Sequence, residues 1–323
     1  MGLGLSEKQK EMRRSGIGAS EGAAVLGFVP GAIEVWERKM GVAPEWEGNS
    51  LTEFGLRIER VLGEAWKERN PGYDIFTPGT LRHATVPVAL ASLDRVVVPL
   101  GRRAREVWIE GLEMKVSFHN AREFGESGSD EVPERFTVQT QWQMEVCDLP
   151  RVRLVALVNG DYREYPIERD REFGKMLMDG AQRWWQEFVV TGTPPPVDGS
   201  DAYASYIRRR FPKMRAPAIP ATVELAEMVS RFKEAKDALD NVKSIHDEAK
   251  QALQILIGEA EGIEGLCSWK NNKDGSATDW EHLAQTLAVS HKVPPEEFEI
   301  LKKQFTTTTP GARVLRLSKE NKS

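Results

Sequence analysis

The chain has 323 residues, which is enough for one large domain or two and for a substantial buried core. Its 40% hydrophobic and 29% charged residues are ordinary for a soluble globular protein, and no apolar run approaches the roughly 20 residues of a membrane helix. The net charge of −5 argues against a generic polyanion binder, although local basic patches can outweigh the sum. Cys147 and Cys267 predict neither a disulfide framework nor a zinc site, which fits a reducing cytoplasm. Together with the absence of a long apolar run, this leads us to expect a cytoplasmic protein with no membrane segment.

The first segment is rich in helix signals. Residues 6–14 are polar and predict a short helix, which Gly16-Ile-Gly18 ends. Ser20 is placed to N-cap the next helix, because its hydroxyl can accept backbone N–H bonds, and Gly27 is placed to end that helix. A helix N-terminus near Arg14 is a site that can bind a phosphate, and the alternative is a capped helix without a ligand.

Two further helices are predicted, over 33–40 and 51–69. Glu59 lies beside the apolar face of the second, where a glutamate is usually a solvated flanking group. Gly55 would let this helix approach a sheet closely. The apolar face repeats every three or four residues and consists of Phe54, Ile58, Val61, Leu62, Ala65 and Trp66.

Strand signals follow. Residues 74–76 and 79–83 predict short strands, and the apolar run 89–98 predicts a strand that contains Asp94. A turn rich in proline, glycine and arginine leads to a strand over 107–116. If these last two strands pair antiparallel, Asp94 comes opposite the face of the second strand that carries its polar side chains.

That face carries Glu113 and Lys115, because residues two apart in a strand point the same way. Two carboxylates would then meet one ammonium at an end of the sheet. Carboxylate oxygens suit Mg²⁺, and a lysine beside a metal can position or deprotonate a water. The set predicts metal-assisted phosphodiester hydrolysis; the alternative is a surface salt bridge, since acid-x-Lys is short and common.

A helix carrying three glutamines follows a polar loop and begins at Val132-Pro133. Gln139 and Gln143 are four residues apart and share a helix face, whereas Gln141 points elsewhere. A glutamine that faces a site can hydrogen-bond a phosphate or a water. The alternative is that all three are polar surface positions.

The run 152–158 predicts a central strand, and Asn159-Gly160 predicts a hairpin to a partner strand over 162–167. A helix over 169–190 comes next. The proline-rich segment 193–200 then indicates a boundary, so we expect one domain over 1–200 and another over 201–323.

The second domain is dominated by residues 221–258, which predict one helix about 55 Å long or a hairpin that turns near Asn241. Strands are predicted over 262–270 and 311–317, with helices over 279–288 and 294–304 between them, as a small α+β module. The long helix carries a heptad seam. Its members are Met228, Phe232, Ala235, Leu239, Val242, His246, Ala249, Leu253 and Leu256.

Four of these motifs together resemble a known family. Asp94 followed by Glu113-x-Lys115 resembles the PD-(D/E)xK nuclease core. The segment Arg14–Gly27 is similar to the N-terminal signature of the YqaJ-type viral recombinases, which are phage-lambda-exonuclease-like enzymes. Phe54–Glu59 resembles the helix that bears the first acid of that family, and Val132–Met144 resembles its glutamine helix. The resemblance covers roughly residues 10–200, with the motifs in the right order.

The resemblance implies an α/β fold with a PD-(D/E)xK restriction-endonuclease-like core, in which a mixed central sheet is flanked by helices. The C-terminal helical arm and the small α+β module would be additions to that core. It also implies roles for particular residues. Asp94, Glu113 and the Met114 carbonyl would hold Mg²⁺ or Mn²⁺ as two ions with Glu59 in support, Lys115 and Gln139 would serve the attacking water, and Arg14 and Ser20 would hold a 5′-phosphate.

The activity that the resemblance implies is 5′→3′ digestion of one strand of linear double-stranded DNA, which leaves 3′ single-stranded overhangs for recombination by strand annealing. A homo-oligomer, with a ring as one form of it, and a single-strand annealing protein as partner are implied in the same way. One alternative is an endonuclease or repair nuclease on the same core; a Cas4-like version would need iron–sulfur cysteines that are missing. Another is a non-catalytic DNA-end-binding or assembly protein.

Overall fold

The computed structural model describes residues 7–43, 50–118, 121–273 and 275–307, together with Gly311 and Leu315. Its helices are α1 (Glu7–Arg14), α2 (Ala19–Val25), α3 (Ala32–Met40), α4 (Ser50–Arg69), α5 (Glu134–Cys147), α6 (Arg171–Trp184), α7 (Asp201–Arg210), α8 (Val223–Ile257), α9 (Trp280–Ser290) and α10 (Pro295–Gln304). Its strands are β1 (Ile17–Gly18), β2 (Tyr73–Phe76), β3 (Thr80–Arg82), β4 (Ala89–Ser92), β5 (Arg95–Pro99), β6 (Glu110–Ser117), β7 (Arg151–Val158), β8 (Asp161–Glu168), β9 (Gly262–Ile263) and β10 (Cys267–Ser268).

A five-stranded sheet in the order β2-β5-β6-β7-β8 forms the centre of the fold. Its strands β6 and β7 run parallel, and every other neighbouring pair runs antiparallel. The parallel pair is possible because α5 crosses over between the two strands. Helices cover both faces of the sheet, with α4 on one side and α5 on the other. The predicted α/β class, a mixed central sheet flanked by helices, is confirmed.

Helix α4 meets the sheet along a narrow stripe. Ile58, Leu62 and Trp66 recur every four residues and join a cluster with Leu112 and Met114 of β6. Two residues of the predicted apolar face are instead solvent-exposed, Phe54 at 46% and Val61 at 55%. The prediction was wrong for these two because only one stripe of the helix faces the sheet.

A glycine does allow α4 to approach the sheet, but it is not the predicted one. A Cβ on Gly63 would lie 3.4 Å from the Met114 Cε of β6, whereas a Cβ on Gly55 would have nothing within 4 Å. The close approach lies about two helical turns beyond Gly55, next to Leu62, the most buried aliphatic residue of α4 among those described.

On the opposite face, α5 is almost entirely buried. Its Val138 and Trp142 pack into the main core with Leu154 and Ala156 of β7, and α2 and α6 pack against α5 from outside. The Trp142 indole N–H donates a hydrogen bond to the carbonyl of Leu90 at 3.0 Å. This layer therefore joins the central sheet to the N-terminal helices.

The predicted strand over 89–98 is broken in the middle. Residues 89–92 form β4, which pairs with β1 and β3 in a separate three-stranded sheet, and β5 enters the central sheet. Leu93 and Asp94 lie at the corner between the two sheets, and Leu93 is buried there. The break gives Asp94 a position at the very start of β5.

The hairpin between β7 and β8 is as predicted. Asn159 and Gly160 both adopt positive φ, 50° and 93°, which a type I′ turn requires. The following helix is shorter than expected: α6 ends at Trp184, and Trp185–Val190 continues with π-helical hydrogen bonding.

The chain divides into two compact units, Met1–Arg210 and Phe211–Ser323. This boundary lies later than the predicted one at 200/201. Helix α7 packs on α3, and its Arg209 forms an ion pair with the buried carboxylate of Glu37 at 2.5 Å. These contacts place α7 in the first unit.

The second unit contains α8, which is a single unbroken helix of 35 residues and not a hairpin. The predicted strand over 262–270 is two short strands, β9 and β10, which pair antiparallel, and α9 and α10 follow. The predicted strand over 311–317 lies outside the described residues apart from Gly311 and Leu315. In the described part of the chain, no helix has both the length and the apolar character to cross a lipid bilayer.

Candidate active site

Asp94 and Glu113 come together where β5 begins beside the middle of β6. Arg95 pairs with Leu112 in the antiparallel ladder, so Asp94 comes level with Glu113 one position further on. The backbone N–H of Met114 donates to Asp94 Oδ2 at 2.7 Å. The predicted antiparallel arrangement is therefore present, and a backbone hydrogen bond fixes the orientation of the Asp94 carboxyl group.

The carboxylate of Glu113 is almost fully buried and accepts three hydrogen bonds from side chains. Lys115 Nζ and Gln139 Nε2 each donate to Oε1 at 2.5 Å. Gln143 Nε2 donates to Oε2 at 2.6 Å. These bonds satisfy a charge that would otherwise be strongly disfavoured at 3% exposure.

The glutamine helix divides its polar residues as predicted. Gln139 and Gln143 face Glu113 from consecutive turns of α5. Gln141 turns the other way, where it donates to the carbonyl of Glu168 at 2.8 Å and accepts from the N–H of Asp170 at 2.9 Å. Gln141 thus fastens α5 to the end of β8 and takes no part in the site.

Gln143 is the site residue whose role the sequence did not reveal. It is fully buried, and besides Glu113 its amide contacts the carbonyl of Ser92 at 3.3 Å. Its Oε1 has no hydrogen-bond partner within the part of the chain that the structure describes. The spacing of four from Gln139 was the available signal, but it could not show that both amides reach one carboxylate.

The surroundings of Lys115 favour its charged form. Burial by itself lowers its pKa, but Glu113, its hydrogen bond to Glu113, Asp94 and Glu59 together raise the pKa above its usual value. Its ammonium also lies 5.4 Å from the centre of the Phe136 ring. A lysine held as an ammonium donates hydrogen bonds, so in this state Lys115 can orient a water or stabilise negative charge.

For Asp94, in contrast, the surroundings disfavour the charged form. Burial, and next the negative charge of Glu113, raise its pKa well above the usual range, although the hydrogen bond from Met114 lowers it. The ionised form of Asp94 is therefore disfavoured as the site stands. A cation placed between the two carboxylates would favour it, which is the electrostatic pattern of a metal-binding pair.

Glu59 approaches the same group from α4. Burial raises its pKa, while its interaction with Lys115 lowers it and its interaction with Glu113 raises it. The charge of Arg95 also lowers the pKa of Glu59. The structure thus brings Glu59 near the cluster, as a partly buried carboxylate without a hydrogen bond of its own in the described chain.

The carboxylate oxygens of Asp94, Glu113 and Glu59 are the type of ligand that Mg²⁺ prefers, and they supply the negative charge that such a cation needs. Across residues 7–43, 50–118, 121–273 and 275–307, however, no three His, Cys, Asp or Glu side chains lie close enough to hold a metal ion as they stand. In the described structure, Lys115 and Gln139 donate to Oε1 of Glu113, and Gln143 donates to Oε2. Oε2 accepts only the Gln143 bond among the described residues, so it keeps a lone pair that a cation could use.

Arg14 and Ser20 make no hydrogen bond or ion pair with this cluster in the described part of the chain. Arg14 ends α1, Ser20 lies in the first turn of α2, and both are exposed. Ser20 is not the N-cap, which is Gly18 in an extended conformation. The reason is that Glu21, three residues on, accepts the N–H of Gly18 at 2.9 Å and so starts the helix earlier.

Glu21 also holds this corner together, which the sequence did not indicate. Its carboxylate accepts a hydrogen bond from Lys39 at 2.5 Å and forms an ion pair with Arg38 at 3.3 Å. The same Lys39 ammonium donates to the carbonyl of Arg13 at 2.8 Å, and burial lowers its pKa. The contacts join α1, α2 and α3 and leave the side chain of Arg14 without an ion pair in the described chain.

Comparison with known proteins places this geometry in a family. The profile of the YqaJ-like viral recombinase domain matches residues 8–150. Those residues are a YqaJ-like viral recombinase domain. The match includes the three carboxylates Glu59, Asp94 and Glu113 and the glutamine Gln143, so the candidate site lies within the YqaJ-like domain.

A curated relative extends the match beyond the YqaJ-like domain. The chain is 27% identical over 261 residues to the uncharacterized protein YqaJ of Bacillus subtilis (strain 168), covering 77% of each chain. Among solved structures, it is similar to an alkaline exonuclease, LHK-Exo, from Laribacter hongkongensis at 17% identity, with a TM-score of 0.43 and 64% of this chain and 97% of that chain covered. The structure of LHK-Exo in complex with dAMP gives a TM-score of 0.44 at the same identity and coverage.

Proposed function

We propose that the protein is a metal-dependent deoxyribonuclease that digests one strand of linear double-stranded DNA from its 5′ end. The product would be a 3′ single-stranded overhang, ready for recombination by strand annealing. One observation carries this proposal: Asp94, Glu113, Lys115 and Gln139 meet at one point within a viral recombinase domain. The 5′→3′ direction, the overhang and a single-strand annealing protein as partner rest on the family resemblance.

Each residue would have a separate task. Asp94, Glu113 and the Met114 carbonyl would hold Mg²⁺ or Mn²⁺, as two ions, and Glu59 would complete the negative charge around them. When bound, the metal supplies positive charge to the attacking and leaving oxygens of the phosphodiester.

Lys115 and Gln139 would bind the attacking water and the scissile phosphate. Lys115, as an ammonium, would orient the attacking water and stabilise the charge that develops on the phosphate. Gln139 would hold the water or the scissile phosphate once Glu113 turns toward the metal.

The DNA end would be recognised separately from the reaction. Arg14 and Ser20 are exposed and have no ion pair in the described chain, so their side chains can meet a 5′-terminal phosphate. Since α2 has only seven residues, the guanidinium of Arg14 would supply most of the attraction. A homo-oligomer that encircles the DNA is part of the same proposal.

The test uses linear duplex DNA labelled at each end in turn, with a covalently closed circle beside it, in Mg²⁺, Mn²⁺ or EDTA. We expect metal-dependent loss of nucleotides from 5′ ends, with the circle intact. Lys115→Ala should lower the rate at least about 100-fold, because the ammonium that stabilises the phosphate charge is gone. Lys175→Ala, which removes an exposed lysine of α6 paired with Asp179, should keep the wild-type rate.

The alternatives give different results in that assay. Cutting of the circle would retain the metal site but make the protein an endonuclease or repair nuclease. DNA binding without cleavage in any divalent metal would indicate a non-catalytic DNA-end-binding protein. A folded Lys115→Ala protein with a rate near that of the wild type would refute the assignment of Lys115.

A further inference from the structure

Helix α8 carries an exposed apolar stripe along its full length. Leu225, Phe232, Leu239, His246 and Leu253 occupy one heptad position, called a, and a second position, d, follows three residues after each. The d residues are Met228, Ala235, Val242, Ala249 and Leu256. We call these ten residues the seam. All ten are exposed, and the large apolar ones range from 39% exposed for Leu253 to 82% for Leu256.

An unbroken seam of this kind is the surface that one helix offers to another. Apolar residues that alternate by three and four keep facing the same side of a helix, where a partner helix can insert its own side chains between them. Exposed apolar patches of this length mark interaction surfaces. His246, a polar residue at an a position, would set the register of the partner, as polar residues at such positions do.

The flanks of the seam carry an unequal distribution of charge. Lys236, Lys243 and Lys250 recur every seven residues along one flank and form the lysine row. Lys236 pairs with Asp240 of the same helix, whereas Lys243 and Lys250 have no ion pair in the part of the chain that the structure describes. The opposite flank has Glu224 and Arg231 and then only apolar residues. Its later members are Ala238, Ile245 and Ala252.

A second copy of α8 would not neutralise the lysine row. In a parallel pair each row would face the opposite flank of the partner, which presents Arg231, Ala238 and Ile245. In an antiparallel pair lysine row would face lysine row. The acidic residues of α8 that could compensate lie on its outer side. They include Glu234, Asp237, Asp240, Asp247 and Glu248.

We propose that α8 docks an amphipathic helix of another protein whose apolar stripe matches the seam and whose flank carries acidic residues opposite the lysine row. Charge complementarity along the flank selects this partner over a second copy, because like charges across a helix pair act against the wrong partner. The proposal does not depend on the nuclease activity proposed above.

The experiment uses the full-length protein and a fluorescein-labelled synthetic peptide of about 35 residues, with leucine at a and d and glutamate at both flanking positions. Fluorescence anisotropy should show saturable binding of this acidic peptide. A matched peptide with lysine at the flanks should bind at least about tenfold more weakly. EDTA in the buffer keeps the nuclease activity out of the measurement.

Two protein variants separate the seam from the lysine row. Leu239→Asp with Val242→Asp should abolish binding of the acidic peptide. Charge reversal of the lysine row, K236E with K243E and K250E, should weaken binding of the acidic peptide at least about tenfold. The same variant should bind the lysine peptide more tightly than the wild type does. The matched control K273E with K292E and K303E makes the same change of charge outside α8 and should leave binding unchanged. Circular dichroism checks that each variant remains helical.

Three results would overturn the proposal. The first is failure of the acidic peptide to bind, or equal binding of both peptides. The second is a lower molar mass by light scattering for Leu239→Asp with Val242→Asp, which would make a second copy the occupant. The third is a wild-type protein that does not bind the acidic peptide, together with a lysine-row variant that has lost affinity for duplex DNA. That result would make DNA the ligand of the lysine row.

Discussion

At the scale of single residues, the candidate site is defined by how the Glu113 carboxylate is held. Two glutamine amides and one ammonium reach it from two elements, and Asp94 lies alongside with its own hydrogen bond to the backbone. These bonds restrict the rotamer of Glu113 and so position its charge. Residues that orient a metal ligand in this way often matter as much to activity as the ligand itself.

Gln143 tests that view. Gln143→Leu would leave Oε2 of Glu113 without its donor, at a cost of about 1–3 kcal/mol, while it removes the buried Oε1 that has no partner in the described chain. We expect DNA cleavage to fall about 10- to 100-fold, with a higher metal concentration needed for half the maximal rate. Steady-state rates across a Mg²⁺ titration measure both effects.

The control for this variant is Gln141→Leu, on the same helix. Gln141 contacts Glu168 and Asp170, away from the site, so its loss should lower the thermal midpoint but leave the rate per folded molecule unchanged. If Gln143→Leu and Gln141→Leu had the same effect on rate, a positioning role for Gln143 would be excluded.

Arg14 provides the second prediction at this scale. If its guanidinium binds the terminal phosphate, Arg14→Ala should lower the rate on 5′-phosphorylated ends about tenfold and have little effect on 5′-hydroxyl ends. Arg13→Ala is the matched control, since it keeps the backbone carbonyl through which Arg13 accepts a hydrogen bond from Lys39. Initial rates on the two substrates test whether Arg14 binds the 5′-phosphate. A wild-type protein that digests phosphorylated and hydroxyl ends equally would rule out a 5′-phosphate pocket.

At the scale of elements, the contact between α2 and α5 joins the N-terminal helices to the layer that carries the glutamines. Gly22 of α2 lies against the Trp142 ring, and a Cβ there would be 2.7 Å from Trp142 Cε3. The ring has no room to retreat because it is fully buried and its N–H is bound to Leu90. The absence of a side chain at Gly22 therefore sets the distance between the two helices.

Gly22→Ala should consequently destabilise the protein by about 1–3 kcal/mol, as expected for overpacking a core. Gly55→Ala is a suitable comparison, because a Cβ added to this helical glycine of α4 would meet no atom within 4 Å. It should gain about 0.4–1 kcal/mol by restricting the unfolded chain. Urea denaturation followed by tryptophan fluorescence gives both values. A neutral or stabilising Gly22→Ala would show that α2 can shift away from Trp142.

At the scale of the whole molecule, the two units have separate roles in our interpretation. Every residue proposed for catalysis lies between Glu59 and Gln143, within the match to the YqaJ-like viral recombinase domain. The second unit begins at Phe211, beyond that match, and its α8 presents an exposed seam with a lysine row. Loss of the catalytic cluster and loss of the seam should therefore be separable by mutation.

The sequence by itself determined those features that depend on local pattern. Alternation placed Glu113 and Lys115 on one strand face, a spacing of four placed Gln139 and Gln143 on one helix face, and Asn159-Gly160 specified its hairpin turn. The fold class and the family also followed, because the motifs occur in a characteristic order. The strand face, the helix face and the turn depend on neighbours in sequence, whose geometry the backbone period fixes, whereas the fold class was implied by the resemblance to the family.

Only the tertiary structure decided which residues meet across elements. The break of the strand at Asp94, the second amide on Glu113, the bonds from Glu21 to Lys39 and Arg38, and Gly63 as the point of close approach all involve partners distant in sequence. A local pattern cannot encode such contacts, because they depend on how separate elements pack. The boundary after Arg210 followed for the same reason, from a pairing of Arg209 with Glu37 that lies far away in the chain.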